Sequence, residues 1–209
     1  MADAAAGLDI ETLAKGLRAQ APGAPFLVGR GEMPVGGERW RCGVLAIPEN
    51  ARPWLVWDGP LLQSEREALT RTLGAWPGQL DFMAATPWKY AWTVPPAPFR
   101  LWREKGLRCA VDGDVIRVRR VVGMEQVARV ADARAVEVEL SADWTLRRVL
   151  LHLAGREPLL IAKQADAFPT IDPTYDGINL MFDASWALDV ARSLAAALKV
   201  ETRIPDALR

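Results

Sequence analysis

The sequence predicts an α+β protein, and three observations carry that prediction. The second half holds short runs in which apolar and charged residues alternate with a period of two. A single helical stripe follows near the C-terminus. The first half mixes two helix-period segments with strand-like runs and ends at the Pro-rich stretch Pro95-Pro96-Ala97-Pro98. Half-buried antiparallel strands produce the period-two pattern, and an amphipathic helix lying on a sheet produces the stripe. The expected arrangement is an antiparallel sheet meander over residues 98–209, closed by a C-terminal amphipathic helix. A smaller, Trp-rich α/β subdomain is expected over residues 1–97.

Each element has its own justification. Residues 9–20 place Ile10, Leu13 and Leu17 on one helical face, and Pro22-Gly23 stop the helix. The segment Ala21–Gly37 holds three Pro and five Gly and reads as a loop, with one short strand at Phe26–Val28. Arg39–Ile47 and Pro53–Trp57 read as two strands of a hairpin around Pro48-Glu49-Asn50. Ser64–Ala75 reads as a helix, with Ser64 and Glu67 spaced as a capping box and Leu69 and Leu73 as its apolar stripe. Trp88, Tyr90 and Trp92 recur at spacing two and predict one face of a strand. Pro95–Pro98 cannot continue a central strand, and marks the expected boundary between the halves.

In the second half, Leu107–Val111 and Val115–Val121 flank the turn Asp112-Gly113-Asp114. Val136, Val138 and Leu140 alternate with Glu137 and Glu139, and Val149, Leu151 and Leu153 share a face. Glu137 and Glu139 are expected opposite Arg147 or Arg148. Residues 164–182 read as a long loop. Asp183 then caps a helix over Ala184–Val200, with Trp186, Val190, Leu194 and Leu198 every four residues. The tail from Glu201 reads as loose or briefly helical. A meander of short antiparallel strands with one C-terminal amphipathic helix resembles the layout of pleckstrin-homology-like rolls. The resemblance is one of layout, and no motif names a family.

Composition excludes several functions. The chain has 209 residues, half of them hydrophobic, and 26 basic residues balance 26 acidic ones. Such a balance argues against a dedicated nucleic-acid binder or a polybasic membrane anchor. No stretch approaches the roughly 20 apolar residues of a membrane span, and the N-terminal residues lack the basic and apolar regions of a signal peptide. The expected location is the cytoplasm. Arg-rich, Ala-rich and Lys-poor usage suggests a GC-rich bacterial source. Two distant cysteines, Cys42 and Cys109, form neither a disulfide framework nor a zinc site. The lone histidine, His152, sits between Leu151 and Leu153 and reads as a structural or surface residue. The segment Gly29–Gly37 imitates a phosphate loop but lacks its Lys-Ser/Thr end, and reads as flexible loop. No cofactor and no metal are expected.

Three sets of residues remain as site candidates. Nine tryptophans stand in the chain, seven of them between Trp40 and Trp102, more than a small core needs. Tryptophan dominates both cores and interface hot spots, so one or more of Trp54, Trp57, Trp88 and Trp92 are expected to line a groove or subunit interface, the alternative being a simply Trp-rich core. In the 164–182 segment, Asp172, Tyr175, Asp176 and Asn179 offer oxygen donors for a ligand or for carboxylate chemistry; turns and a helix cap explain these polar residues more simply. Arg117 and Arg119 lie in an Arg-rich stretch suited to an anionic ligand, or simply to a solvated strand face. The expected function is that of a non-catalytic accessory protein binding a protein partner, or a second copy of itself, through the tryptophans. The rival is a small enzyme or ligand binder using the acidic loop. Sparse catalytic residue types favour the first.

Overall fold

The computed structural model describes residues 8–49, 51–82, 88–121, 123–140, 146–165 and 178–206. The fold is α+β, with mostly antiparallel, meandering strands and three α-helices among the described residues. The chain divides into two compact units, Met1–Ala91 with Glu104–Gly106, and Trp92–Arg103 with Leu107–Arg209.

The first unit contains α1 (Ile10–Gln20), β1 (Phe26–Gly36), β2 (Arg39–Ala46), β3 (Trp54–Leu61), α2 (Gln63–Leu73) and β4 (Trp76–Asp81). Asp9 caps α1, accepting hydrogen bonds from the backbone N–H groups of Glu11 and Thr12, each at 3.1 Å. Those N–H groups have no partner within the helix, so the cap sets its start. The cap of α2 differs from the Ser64–Glu67 expectation. The helix starts two residues earlier, and Glu65 takes the role, its carboxylate accepting from the N–H of Leu62 at 2.9 Å. Gly74 ends α2 with φ +63°, a left-handed conformation natural for glycine.

The strand order is β3-β2-β1-β4, antiparallel except for the parallel pair β1–β4. Alternate residues of β1 and β2 point to opposite faces. Phe26, Val28, Cys42, Val44 and Ala46 meet Ala14 and Leu17 of α1 and Leu69 of α2 in one apolar core. The other face explains why β1 reads as a strand only over Phe26–Val28. Gly29 and Gly31 of β1 and Gly43 of β2 make a flat floor on which Leu80, Phe82 and Leu55 lie. A Cβ on Gly29 would stand 2.5 Å from Leu80 Cγ, and one on Gly43 2.8 Å from Leu80 Cδ1. The glycine-rich stretch is therefore sheet made for close approach, not a flexible loop.

β5 (Tyr90–Thr93) leads toward the second unit, and its four residues are all buried. Tyr90 and Trp92 share one face of this strand, as their spacing predicts, and the residues of the other face, Ala91 and Thr93, are buried as well. The Pro95–Pro98 segment turns the chain, with a cis bond between Pro95 and Pro96. Buried Thr93 clamps the turn: its hydroxyl donates to Pro98 O at 2.6 Å and accepts from Arg100 N at 2.9 Å.

The second unit continues through β6 (Arg100–Arg103), β7 (Gly106–Asp112), β8 (Val115–Arg120) and β9 (Gly123–Arg129), adjacent in that order. A separate sheet has the order β12-β11-β10-β13, from β10 (Ala133–Leu140), β11 (Leu146–Leu153), β12 (Leu159–Ala165) and β13 (Glu201–Arg203). Between β12 and β13 comes α3 (Ile178–Leu198), which packs against β10, β11 and β13. Its stripe of Trp186, Val190, Leu194 and Leu198 is buried, as are Val136, Val138, Val149 and Leu151.

Two expectations change here. α3 begins at Ile178, so Asp183 lies inside the helix and caps nothing. The tail is not loose: β13 pairs in parallel with β10 through Ala135–Glu201, Val136–Thr202 and Glu137–Arg203. Lys199, at φ +56°, makes the sharp exit from the helix that allows this pairing, and Val200 N donates back to Ala195 O at 3.1 Å.

Candidate functional site

β3 is the outermost strand of the first unit's sheet, and it carries two of the four candidate tryptophans. Trp54 is 42% exposed. Its register partner is Ala46, and Leu55 pairs with Leu45, but Trp57 pairs with Val44, so Val56 is an extra residue in the ladder. The bulge changes the alternation along the strand. Trp57 is half-buried against the core beneath the helices, with its ring over Gly59, where a Cβ would come within 2.7 Å of Trp57 Cζ2. Asp58, between them, holds Arg41 at 2.6 Å, and Arg41 lies 4.0 Å from the centre of the Phe82 ring.

Trp88 and Trp92 do not join them. They are 4% and 0% exposed, and so belong to the interior rather than to a contact surface. The indole N–H of Trp92 is buried with no hydrogen-bond partner among the described residues. Spacing alone could not separate these two from Trp54, because a tryptophan in a doubly covered strand has the same sequence signature as one on an open edge.

Arg117 and Arg119 stand on the exposed side of β8. Arg117 Nη1 is 3.8 Å from Asp112 Oδ2, and Arg100 pairs with the other oxygen of the same carboxylate. Arg117 is therefore partly neutralised by its neighbour on β7, and Arg119 is exposed on the same strand. Of the two glutamates expected opposite Arg147 or Arg148, Glu139 stands opposite Arg148 and meets it at 3.2 Å, whereas Glu137 meets His152 Nε2 at 2.5 Å. Leu140, not a glutamate, stands opposite Arg147.

Asp172, Tyr175 and Asp176 lie outside the described residues. Asn179 falls in the first turn of α3. Among the described residues, no group of three or more His, Cys, Asp or Glu side chains is placed to hold a metal ion. Both cysteines are free and buried; burial pushes the Cys42 thiol up to about 11 and that of Cys109 up to about 12. Neither is thus a ready nucleophile at neutral pH. No helix among the described residues is long and apolar enough to cross a membrane.

Sequence reasoning passed over one polar cluster. Arg30 on β1, Gln79 on β4 and Arg66 on α2 converge on the helix-covered side of the first sheet, next to Cys42 and Trp40. Its only sequence signal was an arginine between two glycines, Gly29-Arg30-Gly31. No protein-family model matches the chain, no curated protein is similar to it, and no solved structure matches it.

Proposed function

We propose that this chain is a non-catalytic cytoplasmic interaction protein that binds a protein partner, or a second copy of itself, through Trp54 and Trp57 on β3. The observation that carries the reading is a large aromatic side chain, 42% exposed, on the free edge strand of a sheet. Tryptophan has a large apolar surface and is enriched at binding hot spots. The edge itself is poorly suited to accept another strand. The bulge at Val56, the charge of Asp58 and the missing N–H of Pro60 all hinder a continuous ladder. Recognition would therefore use side chains rather than strand addition. A net charge of zero leaves little overall repulsion between two copies.

The pleckstrin-homology-like layout is part of the same proposal. In its favour are the meander β6-β7-β8-β9, the separate meander β10-β11-β12, and the helix that follows. The parallel strand β13 is an addition to that plan. Function does not follow from such a layout, and the tryptophan edge is what carries it.

Native mass spectrometry of the untagged protein, purified gently from its own cells, tests the reading. The expected result is a dimer or a stoichiometric complex that Trp54→Ala weakens by about tenfold or more, as loss of a hot-spot residue does. A bare monomer carrying a small bound mass would overturn it.

A further inference from the structure

Two guanidinium groups, those of Arg30 and Arg66, lie on the helix-covered side of the first sheet and form no ion pair with a carboxylate among the described residues. Arg30 stands in register with Cys42 on one side and Gln79 on the other, so the three residues form a row across β2, β1 and β4 on one face. The Arg30 guanidinium lies 4.2 Å from the centre of the Trp40 ring. From α2, Arg66 reaches into this row and donates from Nη1 to Gly78 O at 3.3 Å. Its Nε is buried without a hydrogen-bond partner among the described residues, and so is Oε1 of Gln79.

The nearby acids are engaged elsewhere. Glu65 holds Arg39 at 2.9 Å and the N–H of Leu62 at 2.9 Å. Glu67 accepts from Gln63 Nε2 at 2.7 Å. Cys42 is a further acidic group beside them, and burial keeps it a neutral thiol. Burial, together with the nearby positive charge of Arg30, also lowers the pKa of Arg66. Buried charges and orphaned donors are retained where a partner meets them. Guanidinium forks match the oxygen pairs of phosphate and carboxylate groups. A carboxamide can also turn over, offering Gln79 Nε2 as a further donor in the place of Oε1.

We propose that Arg30, Arg66 and Gln79 form a binding site for a small oxyanion, a phosphate or carboxylate group. Isothermal titration calorimetry on the full chain tests this, with inorganic phosphate in one arm and acetate in the other, at constant ionic strength set with sodium chloride. Heat with phosphate alone identifies a phosphate-bearing ligand, and heat with acetate alone a carboxylate. Arg66→Met and Arg30→Met are each expected to weaken binding by about tenfold or more. Arg71→Met, an exposed change on the same helix, is expected to leave it unaltered. Where Arg66→Met fails to fold, Arg30→Met and Gln79→Leu decide. No heat above chloride with either anion, or binding by the Arg30 and Arg66 variants as tight as that of the parent protein, overturns the site.

Discussion

The sheet of the first unit and the β10–β13 sheet of the second solve one packing problem in opposite ways. In β10 and β11 one face buries Val136, Val138, Val149 and Leu151, with Arg147 buried beside them, and the reverse face carries polar pairs, Glu139 with Arg148 and Glu137 with His152. The alternation is plain because the two faces differ in polarity. In β1 and β2 both faces are covered. One meets the helices with ordinary apolar side chains, and the other is floored by Gly29, Gly31 and Gly43 beneath Leu80 and Phe82. Here the apolar bulk of the second face is supplied by β3, β4 and Phe82, so the local sequence resembles a loop. The contrast teaches that periodicity reports a difference between faces, not the presence of a strand.

Exchanging the two solutions is the sharpest way to break this comparison. Gly29→Ala would push a methyl group into Leu80, and overpacking of this kind costs about 1–3 kcal/mol. The reverse change in the other sheet, buried Ala135→Gly, is expected to cost only about 0.5–1 kcal/mol, the propensity penalty of glycine in a regular element. Urea unfolding of the two variants measures both. Equal losses would mean that the glycine floor carries no packing role.

A second effect depends on pH and belongs to the first unit alone. Burial works to raise the Glu65 carboxyl pKa, but the N–H groups of Leu62 and Leu8 and the Arg39 guanidinium outweigh it and hold it below its ordinary value. A carboxyl depressed on folding contributes stability above its unfolded pKa of about 4.3, and loses that contribution as the pH falls through its lower folded value. Glu65→Gln is expected to cost about 1–2 kcal/mol at pH 7, the worth of a helix cap with its ion pair. The gap between variant and parent should close as the pH is lowered toward 3. A gap of constant size from pH 7 to pH 3 would show that the charge is not what matters.

The smallest effect sits in the second unit. Lys199 adopts φ +56° between α3 and β13. Lys199→Gly removes the steric cost of that conformation and is expected to stabilise the protein by about 0.5–1 kcal/mol, less the entropy glycine adds to the unfolded chain. Thermal melting reads the gain. A loss of stability would indicate that the lysine side chain contributes more than its backbone costs.

Legibility followed the same physical line. α1, α2, the β7–β8 hairpin and the α3 stripe were readable, because each is defined by contacts three or four residues apart or by a tight turn such as Asp112-Gly113-Asp114. The start of α2 was not, since Ser64–Glu67 and the Glu65 contact with Leu62 compete locally, and the choice also involves Arg39, 26 residues away in sequence. The pairing of β13 with β10 spans more than sixty residues and left no local mark. Among the candidate sites, the anomaly in tryptophan content was visible, while the separation of exposed Trp54 from buried Trp88 and Trp92 was not. The Arg30–Arg66–Gln79 cluster was invisible, because its three members come from three elements.

By itself, then, the chain's sequence determined the α+β class, the amphipathic faces of its helices and the charge balance that leaves no overall electrostatic signature. These depend on composition and on neighbours within one turn or one hairpin. Tertiary structure alone decided which strand lies at an edge, which tryptophans meet solvent, which carboxylate meets which arginine, and where Arg30, Arg66 and Gln79 come together. Burial and pairing are properties of surfaces brought together from distant parts of the chain, and short-range periodicity carries no information about them.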